Sequence, residues 1–220
     1  MSHDAGFRRP HEAVDFVALT AELPPPPEYF STAWLAPPEE IAATQLARLR
    51  RRAAQAFEVP FFQRRWDEAG VGPADLRTLA DLDRFPAYTV DDIRRSIEAH
   101  PPYGDYQGVS VDQAREQPMR VFMSGGTTGT SRPTLYTAWD REAGALLTAR
   151  ALYLQGIRPG DVVLNAWAYS THNGAHIMDE AVYKWLNCVV LTTGTGNVTP
   201  SRKQVELAVQ YGATASLTTG

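Results

Sequence analysis

Long apolar runs are missing from this sequence: no stretch approaches the ~20 apolar positions that a membrane-spanning helix needs. The amino terminus carries charges but no continuous apolar segment, so no signal peptide is expected. Cysteine is all but absent. Cys188 stands alone among 220 residues, which excludes an intrachain disulfide framework and fits a reducing compartment. Its apolar setting, "CVVL", predicts a buried strand residue rather than a nucleophile. Together these absences predict a soluble, cytoplasmic protein with no membrane partner. A surplus of positive charge is lacking too, since the net charge is −4, and nucleic acid is not expected as a partner. The densest basic run, Arg48, Arg50, Arg51 and Arg52, falls in a helix-like stretch and predicts a solvated face.

What is present divides into three parts. Residues 1–37 are expected to form an irregular, proline-rich arm. Pro24 to Pro27 cannot donate backbone hydrogen bonds and favour an extended polyproline form, as a stiff arm or as a proline-recognition ligand. Residues 38–117 read as a helical segment. "PEEIAATQLARLRRRAAQAFE" opens with proline and two acids, and Ile41, Leu46, Leu49, Ala53 and Phe57 recur at helical spacing. "PFFQRRWDEAG" predicts a shorter helix stopped at Gly70. "TVDDIRRSIEA" predicts another, capped by Thr89 with Asp92 three residues on.

From residue 118 to 220 the rhythm is strand, loop, helix. Strands are predicted at "MRVFM", "VVLNAWAY", "CVVLTT" and "ATASLTT". Helices are predicted at "DREAGALLTARALYLQG", "GAHIMDEAVYKWLN" and "TPSRKQVELAVQYG", the last with Thr199 as cap and Gly212 past its end. Strands alternating with helices of this length specify a parallel sheet flanked by helices. The fold class is therefore α/β, preceded by a helical segment. No helix follows the last strand, so the α/β part is expected to be truncated.

The stretch "SGGTTGTSRPT", Ser124 to Thr134, follows the first of these strands. Glycines let backbone N–H groups approach a ligand closely, and successive N–H groups form an anion-binding nest. The hydroxyls of Ser124, Thr127, Thr128, Thr130 and Ser131 add donors suited to a polyphosphate. Yet lysine is missing where a Walker A loop requires it, because Gly129 is followed by Thr130. The dinucleotide pattern fails as well, and on composition alone an ordinary turn fits equally well.

This string resembles the phosphate loop of adenylate-forming enzymes, and within them the phenylacetate-CoA ligase family. "PFFQRRWDEAGVGPADLRTLADLDRFPAYTVDDIR" upstream, and "GIRPGDVVLNAWAYSTHNG" and "NCVVLTTGTGN" downstream, are similar to segments of those ligases in the same order. The resemblance spans roughly residues 58 to 220 and implies two steps: a carboxylic acid attacks the α-phosphate of Mg²⁺·ATP, then coenzyme A displaces AMP to give a thioester. It also explains the missing lysine, which in this family comes from a late carboxy-terminal motif. The phosphate cradle then maps to Ser124, Gly126, Thr127, Thr128 and Gly129. Two extra residues before Pro133, and Arg132 where a lysine often stands, leave open which basic group meets phosphate. The catalytic residues are expected beyond residue 220, so the isolated chain is expected to be inactive. Its partners would be a small aromatic or other carboxylic acid and the missing carboxy-terminal portion, or a complementary subunit.

His172 and His176 stand at i, i+4 in "YSTHNGAHIMDE", but Asn173 occupies the place of a metalloprotease's glutamate, so no metal is expected. The resemblance gives the segment another role: Tyr169, His172 and Asn173 line the acyl pocket, with His176 inside the following helix. Simple capping or packing by His172 fits as well. Two functions remain in play: the amino-terminal part of an AMP-forming aryl- or acyl-CoA ligase, or a non-catalytic nucleotide- or acyl-binding module, such as one subunit of a split ligase.

Overall fold

The computed structural model describes residues 9–124 and 131–218. In chain order the elements are α1 (Phe16–Glu22), α2 (Glu28–Ser31), α3 (Pro38–Phe57), α4 (Pro60–Ala69), α5 (Val90–Ala99) and α6 (Val111–Glu116). There follow β1 (Met119–Ser124), β2 (Arg132–Thr137), α7 (Ala138–Leu154), β3 (Val162–Asn165) and α8 (Gly174–Glu180), which a π-turn over Ala181–Trp185 continues. β4 (Val189–Thr192), α9 (Ser201–Tyr211) and β5 (Ala215–Leu217) complete the order. Contacts group the chain into two compact units, Met1–Leu35 with Pro118–Gly125 and Tyr136–Gly220, and Ala36–Gln117 with Gly126–Leu135. Among the described residues no helix is long and apolar enough to cross a membrane.

The second unit is helical, and its sequence signals act locally. α3 starts on Pro38 with Glu39 and Glu40 in its first turn, where the helix dipole favours acids. α4 ends at Gly70, whose φ of 64° suits glycine. At α5 the Thr89 N–H and hydroxyl donate to Asp92 at 2.7 and 2.9 Å, while Thr89 Oγ1 accepts from the Asp92 N–H at 3.3 Å. The Thr89 backbone N–H, more than its hydroxyl, lowers the Asp92 pKa to about 2. Ala53, Trp66 and Leu76 form the core with Leu49, Phe57, Phe62 and Phe85 around them. Arg48, Arg50, Arg51 and Arg52 lie on an exposed face as expected, but Arg50 also reaches back to the chain. Its Nε donates to the Leu76 carbonyl at 2.7 Å and Nη2 to that of Arg77 at 2.9 Å. The long guanidinium thus satisfies two successive carbonyls of the turn after Asp75.

β2 was not expected from the sequence. Non-local bonds within this unit hold its first half: Tyr106 Oη and Gln107 Nε2 donate to the Pro133 carbonyl at 2.6 and 3.1 Å. The Leu135 N–H in turn donates to Gln107 Oε1 at 2.7 Å.

The first unit is the α/β part. Its sheet runs β4-β3-β5, all parallel, with Val162 opposite Val189 and Val163 opposite Ala215. The central strand is accordingly the buried one, and Val163, Leu164 and Asn165 are at most 4% exposed. Ala149 and Leu152 of α7, Val182 of the π-turn, Leu186 and Cys188 close over it. The thiol donates to the Arg158 carbonyl at 3.3 Å, and burial raises its pKa, as expected of a packed residue rather than a nucleophile.

Several elements depart from the sequence reading. The arm is not irregular throughout: Asp15 caps α1 through the Ala18 N–H, and Leu19, 1% exposed, packs with Val14, Leu23 and Leu146. Nor do the prolines run straight, because the Tyr29 N–H reaches back to the Pro25 carbonyl at 2.9 Å and opens α2. The strand expected over 162–169 stops at Asn165: the Ala166 N–H still reaches the Leu217 carbonyl, but the Trp167 N–H turns to the Asn165 side chain. Thr199 is not the cap of α9. Pro200 holds that position, and the Thr199 hydroxyl donates to the Thr193 carbonyl at 2.7 Å.

Candidate functional site

Asn165 is the hub of the loop that follows β3. Fully buried at the strand's end, it donates through Nδ2 to the Ala175 carbonyl (3.0 Å) and to Asp179 Oδ1 (2.7 Å). Its Oδ1 accepts from the Trp167 N–H at 3.1 Å, and its backbone carbonyl accepts from the N–H groups of Thr193 and Gly194. One amide thus ties the exit of β3 to the start of α8 and the exit of β4. A buried amide with every atom engaged is rigid. The sequence offered no signal for this beyond an asparagine closing an apolar run.

From this anchor the loop fans out. Tyr169 donates its hydroxyl to Asp179 Oδ1 at 2.7 Å, and its ring meets His176 edge-on at 5.6 Å. Burial first, and the Asp179 carboxylate second, push the Tyr169 phenol well above its ordinary range, so it remains a neutral donor. His172 accepts from the Gly174 N–H through Nδ1 at 3.0 Å, while His176 Nε2 lies 3.2 Å from the Ser170 carbonyl. Each imidazole is thus engaged locally, and no group of three or more His, Cys, Asp or Glu able to hold a metal ion occurs among the described residues. Glycine is required at 174, because a Cβ there would lie 2.5 Å from the Trp167 ring. Asn173 accepts through Oδ1 from Arg141 Nη1. Tyr169, His172 and Asn173 therefore share one loop but point to three different partners.

Arg141 is what sequence reasoning missed most. On the first turns of α7 it reads as a surface residue, yet it is 5% exposed. Its guanidinium lies 5.0 Å from the Phe122 ring of β1 and 5.7 Å from that of Tyr136. Nη2 stands 2.8 Å from Glu180 in a charge contact, and Arg120 reaches the same carboxylate at 3.5 Å. Lys184 pairs with Glu142, the neighbour of Arg141. Beside this network lies a cavity of about 490 Å³, lined by Phe16, Met119, Arg120, Tyr136, Arg141 and Lys184 among others. Tyr169, His172 and Asn173 are not in its lining.

Strand β1 joins this region directly. The Met123 N–H donates to the Thr171 carbonyl at 2.8 Å, one residue before Ser124 closes β1. The strand that leads into the glycine-rich stretch is therefore pinned to the loop carrying Tyr169, His172 and Asn173. Gly126, Thr127, Thr128 and Gly129 lie outside the described residues.

No family model matches the chain. The phenylacetate-coenzyme A ligase of Aromatoleum evansii is 33% identical to it over 177 residues, covering 79% of the chain and 37% of that enzyme. Over the matched part the chain is similar to the phenylacetate-coenzyme A ligases. The Thermus thermophilus phenylacetate-coenzyme A ligase is 39% identical over 139 residues, which cover 63% of the chain and 29% of the relative. Among solved structures, a 2-hydroxyisobutyryl-CoA ligase in complex with 2-HIB-AMP and CoA superimposes with a TM-score of 0.74 at 31% identity. It matches 82% of this chain and 37% of its own. The α/β architecture corresponds to the amino-terminal portion of adenylate-forming enzymes. The chain spans well under half the length of the ligases it matches.

Proposed function

We propose that the chain is the amino-terminal part of an ATP-dependent, AMP-forming ligase that joins an aryl or other small carboxylic acid to coenzyme A. The observation that carries this reading is the Met123 to Thr171 hydrogen bond, which ties the strand entering the phosphate loop to the loop of the acyl pocket. Acid and nucleotide must meet at that junction. A carboxylate oxygen attacks the α-phosphorus of ATP there, the bond to the β-phosphate oxygen breaks, and pyrophosphate leaves with its electron pair. The thiolate of coenzyme A then attacks the acyl carbon of the adenylate, and AMP leaves.

In this reading Ser124, Gly126, Thr127, Thr128 and Gly129 hold the β- and γ-phosphates, while Tyr169, His172 and Asn173 face the acid. Mg²⁺ enters with the nucleotide. Tyr169 is suited to its place because it stays uncharged beside an anionic substrate, its one proton given to Asp179. Catalytic groups come from the remaining portion of the enzyme, and a cytoplasmic setting supplies ATP, coenzyme A and reducing conditions.

The test joins the 220-residue chain to the complementary carboxy-terminal portion of the Thermus ligase and follows pyrophosphate release with ATP and a panel of aromatic acids. Release is expected from the joined protein and not from the chain alone. Thr128→Ala is expected to slow adenylation roughly 10- to 150-fold, by loss of one charge-assisted hydrogen bond. Thioester formation from preformed acyl-adenylate should change much less. Equal loss in both half-reactions, or none in either, would sink the assignment of the loop.

A further inference from the structure

Asn173 stands at the N-cap of α8, where an asparagine ordinarily accepts a hydrogen bond from the first turn of its own helix. Here it makes no such bond. Its oxygen goes instead to Arg141 Nη1. A guanidinium has donors and no acceptor, so Arg141 can face only the oxygen of the amide, and the NH₂ on the same carbon is turned away from it.

Arg141 is itself held fast. It is 5% exposed, lies against two aromatic rings, and meets Glu180 at 2.8 Å. The amide therefore cannot flip without presenting two donors to a cation. Among the described residues the Asn173 Nδ2 has no hydrogen-bond partner. A helix cap has been given up, and what results is an oriented, unused donor on the loop that joins β3 to α8.

We propose that Arg141 is a positioning residue that holds Asn173 as a hydrogen-bond donor toward an oxygen of the acyl substrate. The identity of that ligand rests on the ligase reading above, whereas the orientation lock does not. The oxygen belongs either to the acid's carboxylate or to a hydroxyl it carries, and the two sources can be told apart.

Side-chain amide signals of Asn173, recorded by nitrogen-15 NMR on the 220-residue chain, test the lock without any ligand. Arg141→Lys keeps a cation for Glu180 but loses the planar fork, and it is expected to shift the Asn173 signals while the fold is retained. Unshifted signals in that variant overturn the proposal. Phenylacetate and 4-hydroxyphenylacetate are then titrated into the joined protein described above, as wild type, Asn173→Leu and Asn173→Asp. Removal of the donor is expected to weaken binding about tenfold. Loss for both acids assigns the carboxylate oxygen, and loss for the hydroxylated acid alone assigns its ring oxygen. Unchanged affinity in Asn173→Leu overturns the proposal, including the case in which only Asn173→Asp weakens, since that reports charge repulsion. Shifted Asn173 signals in Arg141→Lys, together with a joined wild-type protein that binds neither acid, refute the acyl ligand and so the ligase reading, with the lock itself upheld.

Discussion

Helices α7 and α9 both belong to the α/β unit, and both read in the sequence as mixed apolar and charged helices. They are held in opposite ways. α7 buries seven residues, including the charged Arg141 and Glu142. α9 buries none, and its Val205 and Val209 remain 63% and 78% exposed. It is fixed by its ends instead: Gln204 donates to the carbonyls of Gly194 and Thr199, and Gly212 at φ 65° closes it. One helix gathers polar groups inward to shape a site, and the other only links two strands. Composition does not separate these roles; the company each side chain keeps does.

The contrast can be broken most sharply at Arg141. Arg141→Met leaves the Glu180 carboxylate without its nearest cation and is expected to cost about 3–5 kcal/mol in urea unfolding. A cost near zero would mean that the network is dispensable and α7 no different from α9. Leu146→Ala empties a fully buried position of the same helix, and a loss of about 2–5 kcal/mol is expected by the same measurement.

Local capping gives an intermediate effect with a signature in pH. The folded Asp92 pKa lies near 2, below its ordinary value of 3.8. The stability it contributes is thus present above the unfolded value and lost as pH falls toward the folded one. Asn at this position should therefore destabilise the protein near neutral pH, and the gap between Asp92→Asn and wild type should narrow at about pH 3. A gap that is independent of pH would assign the cap to geometry rather than charge. Smallest of all, Val209→Ala on α9 is expected to change stability by no more than about 0.5 kcal/mol. A larger loss would show that α9 is held by its exposed face after all.

What could be read from the sequence was whatever is local. Thr89 with Asp92, Gly70 after α4, and the apolar run of β3 each act within a few residues, so pattern and spacing reveal them. The likeness to the ligases could be read because it extends along the chain rather than resting on one segment. Arg50, Gln107, Arg141 and Asn165 could not. Each is a polar side chain whose partner lies at least ten residues away, and nothing in its neighbourhood says whether it will meet water or a buried carbonyl. Charged residues on a helix read as solvent-facing by default, and Arg141 is the clearest failure of that rule here.

The Arg150 guanidinium lies 3.8 Å from the Tyr29 ring centre and grips the Pro24 carbonyl with Nε at 2.9 Å and Nη2 at 2.6 Å. That grip joins positions 126 residues apart. During synthesis at about 5–20 residues per second, the arm would wait several seconds outside the ribosome before its anchor existed. Its apolar residues spend that interval uncovered, so α1 is among the first segments made and among the last to be seated. A chaperone would find its opportunity there.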